Sequence, residues 1–116
     1  MKSFINIILC MCILFSYSIR SEDIPYLLTA SSKGDIESVK AIIDSGGNPN
    51  TEDGNKVTAL MYASRKNQVE VARYLISKGA EVNKQEIDGW TALMYASKNN
   101  YSNIVELLIN NNADLK

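Results

Sequence analysis

The seven residues TALMYAS stand at Thr58 to Ser64 and again at Thr91 to Ser97, 33 positions further on. An identical heptad at a period of this size marks a stacked repeat, in which each unit has an apolar face that only a neighbouring unit can cover. Laid on itself at that period, the chain brings three segments into register. They are YLLTASSKGDIESVKAIIDSGGNPN (Tyr26 to Asn50), ALMYASRKNQVEVARYLISKGAEVN (Ala59 to Asn83) and ALMYASKNNYSNIVELLINNNADLK (Ala92 to Lys116).

Leu27, Leu60 and Leu93 align, as do Ala30, Ala63 and Ala96; later in each unit Ile42, Leu75 and Leu108 align, with Ile43, Ile76 and Ile109 beside them. Each unit therefore reads as two helical segments of about 8 and 10 residues, joined by a small or polar turn around Gly34, Asn67 or Asn100. Helices this short are marginal alone, because the nucleation cost is spread over too few residues. Packing must hold them: the recurring Ala lets backbones approach, and each Leu or Ile of the second helix adds about 1.5–3 kcal/mol when fully buried. Gly46, Gly79 and Asn112 fall where that helix ends and a left-handed residue is favoured.

These residues resemble the ankyrin repeat. TALMYA stands for that family's Thr-Pro-Leu-His-x-Ala helix start. GGNPN (Gly46 to Asn50), GAEVN (Gly79 to Asn83) and NADLK (Asn112 to Lys116) stand for its Gly-Ala-Asp-x-Asn ending, and DGW (Asp88 to Trp90) for its Asp-Gly hairpin tip. The resemblance runs from Pro25 onward and implies an all-α solenoid of three helix-turn-helix repeats with short hairpin loops, at about 25–57, 58–90 and 91–116. There are departures. Ala59 and Ala92 replace the family's Pro, and Met61 and Met94 replace its His, so thioether packing is expected in place of that His's hydrogen bonds. The first unit lacks the Thr start, but Pro25 suits the first turn of a helix. Asn55 and Lys56 stand at the first hairpin tip in place of Asp-Gly, which predicts a less regular turn.

The apolar residues, 46% of the 116, are unevenly spread. Lys2 is followed by the uncharged stretch SFINIILCMCILFSYSI, continuously apolar from Ile7 to Phe15, then by small polar residues. That layout reads as a secretory signal peptide over residues 1–21, cleaved after Ser18 or Ser21, with the repeat domain at 22–116. The alternative is an uncleaved anchor, since the uncharged run approaches the roughly 17–25 residues that span a bilayer. Both cysteines, Cys10 and Cys12, lie in the leader, so its removal leaves no thiol for a disulfide or a cysteine site. Removal also takes Lys2 and Arg20, two of 12 bases and none of 13 acids, moving the net charge from −1 to about −3. An acidic domain of this kind does not read as a nucleic-acid protein.

The chain contains no histidine, which removes the commonest general base and zinc ligand together. No catalytic residues, cofactor, metal site or small-molecule substrate are expected, and Asp35, Glu37, Glu86 and Asp88 read as solvated turn and cap residues. In ankyrin-like stacks the residue after the hairpin Gly, the fifth residue of TALMYAS and the last turn of the first helix face a concave groove where partners sit. The resemblance places Val57, Tyr62, Arg65 and Lys66 there from the second unit, and Ile87, Trp90, Tyr95, Lys98 and Asn99 around the third. Trp, Tyr and Arg are the types that most often dominate binding energy. A structural account stands beside this one: Tyr62 and Tyr95 lean on each other, and Lys33, Arg65, Lys66 and Lys98 complement helix C-termini. Trp90 is costlier to leave wet.

The sequence thus points to an exported, periplasmic or secreted bacterial protein that binds a partner protein as adaptor, inhibitor or immunity-type protein. Its rivals are a scaffold anchored in the inner membrane and a secreted effector acting on a host protein. Weak self-association through the last repeat, which lacks a separate polar cap, is a further expectation.

Overall fold

A computed structural model of the chain describes residues 24–115. The leader with Cys10 and Cys12, and the final Lys116, lie outside the described residues. Six helices follow one another: α1 Tyr26–Lys33, α2 Ile36–Asp44, α3 Ala59–Arg65, α4 Val69–Ser77, α5 Ala92–Lys98 and α6 Ser102–Asn110. They pair as α1 with α2, α3 with α4 and α5 with α6; α1, α3 and α5 stack in one layer, and α2, α4 and α6 in a second. Among the described residues there is no strand, and the hairpin between the first two pairs keeps one antiparallel bridge, Glu52 with Thr58.

The turn chemistry is repeated unit by unit. Gly34, Asn67 and Asn100 take left-handed φ values of 76°, 60° and 60° after the first helices. The residue that follows then donates back to the central Ala: Asp35 N–H to Ala30 O at 2.9 Å, Gln68 N–H to Ala63 O at 2.9 Å, Tyr101 N–H to Ala96 O at 3.0 Å. This is the six-to-one bond of a Schellman stop, which satisfies a carbonyl the helix leaves over. Gly46, Gly79 and Asn112 end the second helices in the same way, with Gly47, Ala80 and Ala113 donating to Ile42, Leu75 and Leu108. Thr58 and Thr91 cap α3 and α5, each Oγ1 accepting the N–H three residues on at 3.2 Å. Pro25 sits one place earlier than the sequence predicts, as the N-cap of α1 instead of inside its first turn, and its carbonyl accepts from Leu28 N–H at 2.9 Å.

The core lies between the layers. Leu27, Leu60 and Leu93 are buried with Ala30, Ala63 and Ala96, and the outer layer adds Val39, Ile43, Val71, Ala72, Leu75, Ile104 and Leu108. Leu75 and Leu108 are completely buried, each adding about 1.5–3 kcal/mol, which is what holds helices of seven to nine residues together. The two methionines of the repeated heptad diverge. Met61 is buried and its sulfur accepts from Thr58 N–H at 3.5 Å, whereas Met94 is 37% exposed, so thioether packing replaces the family's His in one unit only.

Side-chain amides tie each unit to the next. Asn50 Oδ1 accepts from Glu81 N–H at 2.7 Å, and Asn83 Oδ1 accepts from Asp114 N–H at 2.6 Å. Gln68 Nε2 reaches back to Ser32 O at 2.9 Å, and Ile87 N–H joins the hairpin tips by donating to Asn55 O at 2.9 Å.

Candidate functional site

The hairpin tips and the first-layer helices meet along one edge of the stack. At each tip a carboxylate gathers the turn. Asp53 Oδ1 accepts from Asn55 N–H at 2.8 Å and Val57 N–H at 3.0 Å. Glu86 Oε1 accepts from Asp88 N–H at 2.6 Å and Trp90 N–H at 3.0 Å. The free oxygen of each then takes a phenol: Tyr62 OH donates to Asp53 Oδ2 at 2.7 Å, and Tyr95 OH to Glu86 Oε2 at 3.2 Å. Three donors on one carboxylate fix both the tip and the ring above it.

Two sequence expectations change here. Glu86 is not a solvated turn residue; it is 8% exposed, and its burial is made tolerable by the bonds it accepts. The first tip is not irregular either. Lys56 adopts φ 66° where the second tip has Gly89 at 86°, and Lys56 N–H to Asp53 O at 3.0 Å matches Gly89 N–H to Glu86 O at 2.8 Å.

Beside the carboxylates, three aromatic rings and two cations form a continuous row across two units. The Arg65 guanidinium lies 5.4 Å from the ring centroid of Tyr62 and 5.4 Å from that of Tyr95, so the two tyrosines share a cation in place of the direct contact the sequence allows. Trp90 packs on Tyr95 with centroids 5.1 Å apart and planes tilted by 34°. Lys98 Nζ sits 5.4 Å from the Trp90 centroid. The order along the edge is Tyr62, Arg65, Tyr95, Trp90, Lys98, each neighbour attracted through the ring quadrupole or ring packing.

The rings are half-buried and the cations exposed. Burial pushes the Tyr62 phenol up to about 12, helped by the bond to Asp53 and its charge. Burial likewise raises Tyr95, with the Glu86 charge and hydrogen bond adding to it. For Asp53 burial works upward, but the bonds from Tyr62, Val57 and Asn55 and the Arg65 charge together hold its carboxyl below the ordinary value.

Of the nine groove residues expected from the sequence, Tyr62, Arg65, Trp90, Tyr95 and Lys98 come together in this ladder. Val57 does not join them: it is 6% exposed and part of the core, because at the position equivalent to Trp90 a small branched side chain fits wholly between the hairpins. Ile87 projects from the second tip at 64% exposure. Lys66 and Asn99 are exposed C-cap residues one step beyond the ladder, and Asn99 Nδ2 closes its helix by donating to Tyr95 O at 3.0 Å. Sequence reasoning missed Asp53 and the role of Glu86. The signal was present: each carboxylate precedes its tyrosine by nine positions, in register with the other.

Among the described residues, no three His, Cys, Asp or Glu side chains gather in a group able to hold a metal ion. No helix among them is long and apolar enough to cross a membrane.

No curated protein matches the chain. A family model described as ankyrin repeats in three copies matches residues 27–116, and repeats of that kind are generally protein–protein interaction modules, typically without catalysis of their own. With three registered units, six helices in two layers and a family match over most of its length, the chain belongs to the ankyrin repeat family.

Proposed function

We propose that this chain is an exported, non-enzymatic module that binds a partner protein through its concave groove and hairpin tips, acting as an adaptor, an inhibitor or an immunity-type protein. The observation that supports binding at this edge is the ladder itself. Three aromatic rings are fixed in place by carboxylates and cations, flanked by the exposed Arg65, Lys98 and Ile87. Rings held this way lose little freedom when a partner covers them, which is what makes Trp, Tyr and Arg clusters effective anchors.

Affinity capture with the full chain and with the Trp90→Ala, Tyr95→Ala double variant tests the site. A partner held by the parent chain and lost by the variant, at unchanged helicity, supports it. Equal capture, or collapse of the fold on losing the two rings, sinks it.

Export rests on the leader: a lone Lys2, the apolar run from Ile7 to Phe15, then small polar residues. The mass of the native N-terminus after cell fractionation tests this, cleavage after Ser18 or Ser21 being the expected result. A second reading, a scaffold tethered in the membrane by an uncleaved leader, is favoured by the length of the uncharged run and predicts an intact N-terminus in the membrane fraction.

A further inference from the structure

Charge is divided between the two layers of helices. The first-layer helices α1, α3 and α5 contain Lys33, Arg65 and Lys98 and no acidic residue, whereas α2, α4 and α6 contain Glu37, Asp44, Glu70 and Glu106 against Lys40 and Arg73. A helix C-terminus attracts a cation in either layer. Each first-layer helix has one in its last turn and no second-layer helix does, so the helix dipole alone does not account for the division. The cations gather on the layer that carries the ladder, and Lys66 at the C-cap of α3 adds another. The chain as a whole has a net charge of −1.

The charges along this edge also face different ways. Asp53 and Glu86 turn inward, both oxygens of each taken by backbone N–H groups and a tyrosine phenol, while Arg65, Lys66 and Lys98 are exposed. Asp88, at the second tip, is an exposed acid that acts on Tyr95. Among the described residues no carboxylate lies within ion-pair distance of the Arg65 guanidinium or of Lys98 Nζ; the described ion pair joins Lys84 to Glu52 at 3.4 Å. Rings steady both cations instead, Tyr62 and Tyr95 beside Arg65 and Trp90 beside Lys98. A cation held by ring faces keeps its N–H donors available, and a planar guanidinium offers them in pairs that match a carboxylate.

We infer that the groove takes an acidic segment of its partner, with Asp or Glu side chains pairing with Arg65 and Lys98 while their neighbours in the segment cover the rings. The inference rests on the reading of this edge as the binding site and adds the chemistry of the occupant. A nucleic acid fits less well: the rings are half-buried, both phenols are tied to carboxylates, and the chain as a whole is acidic.

Panning random phage-displayed dodecapeptides on the full chain tests this, followed by fluorescence anisotropy of the selected peptides at low and high salt. Asp and Glu should be enriched, and binding should weaken as salt rises. Arg65→Gln and Lys98→Gln should each reduce affinity about tenfold at unchanged helicity, and either variant suffices if the other loses helicity. Lys40→Gln with Arg73→Gln, which removes two charges from the second layer, should leave affinity unchanged. Selected peptides without acidic residues, the absence of any selected peptide, or acidic peptides lost on Trp90→Ala with Tyr95→Ala but indifferent to both glutamine variants overturn this inference alone. So does a thymidine dodecamer that competes equally. Peptides that still bind the Trp90→Ala, Tyr95→Ala chain sink the reading of the groove as well.

Discussion

Tyr62 donates its phenol proton to Asp53 at 2.7 Å, and that single contact joins a first-layer helix to the hairpin tip that precedes it. Tyr95 and Glu86 repeat the arrangement one unit later. The tyrosines of the proposed site are also part of the fold, and this decides how variants there behave.

Removing the phenol alone leaves both backbone donors on the carboxylate. Tyr62→Phe should cost about 0.5–1.5 kcal/mol, a net hydrogen bond to a partly exposed acceptor. Glu86→Ala strands two backbone N–H groups and the Tyr95 phenol and should cost more, about 1–3 kcal/mol. Urea unfolding of the two variants measures both, and the order matters more than the values.

The same pair sets a pH window. Tyr62 is held up at about 12, so its neutral form is favoured by folding; that stability is complete below the ordinary phenol value and is lost as pH rises through about 12. Asp53 is held below its ordinary value, so its contribution is present above that value and fades as pH falls through the folded one. Urea midpoints should plateau between the two limits. Asp53→Asn should flatten the acid limb, and Tyr62→Phe should remove a late phenolate absorbance from the alkaline titration.

Lys56 and Gly89 occupy equivalent left-handed positions with different side chains. A Cβ on Gly89 would meet nothing within 4 Å, so any cost there is conformational alone. Lys56→Gly should stabilise the chain and Gly89→Ala should destabilise it, each by about 1 kcal/mol or less after the unfolded-state entropy is counted. Thermal melts resolve this, since about 1 kcal/mol moves Tm by roughly 4–8 °C in a domain of this size.

Arg65 should couple to both rings. A double-mutant cycle between Arg65→Ala and Tyr95→Leu is expected to return about 0.5–1 kcal/mol, and the cycle with Tyr62→Leu a similar value. A coupling near zero in both would mean that the guanidinium is merely adjacent.

The sequence carried the period, the paired helices and their stops, because Leu, Ala, Gly and Asn recur where packing and left-handed backbone demand them. It hid the hairpin carboxylates, since Asp53 and Glu86 differ in type and their main partners are backbone N–H groups, which have no letter. Val57 and Trp90 share a register position but not an environment, because side-chain volume decides which of them fits inside. Met61 and Met94 are identical letters in identical heptads. What separates them is whether another unit lies above.

Asn50 and Asn83 each reach only to the loop of the unit directly after their own. Connectivity of that kind makes a zipper, in which opening starts at a terminus and travels inward one link at a time. The middle pair, α3 and α4, is gripped from both flanks, so its amides should be the slowest to exchange with deuterated solvent, while both outer pairs fray first.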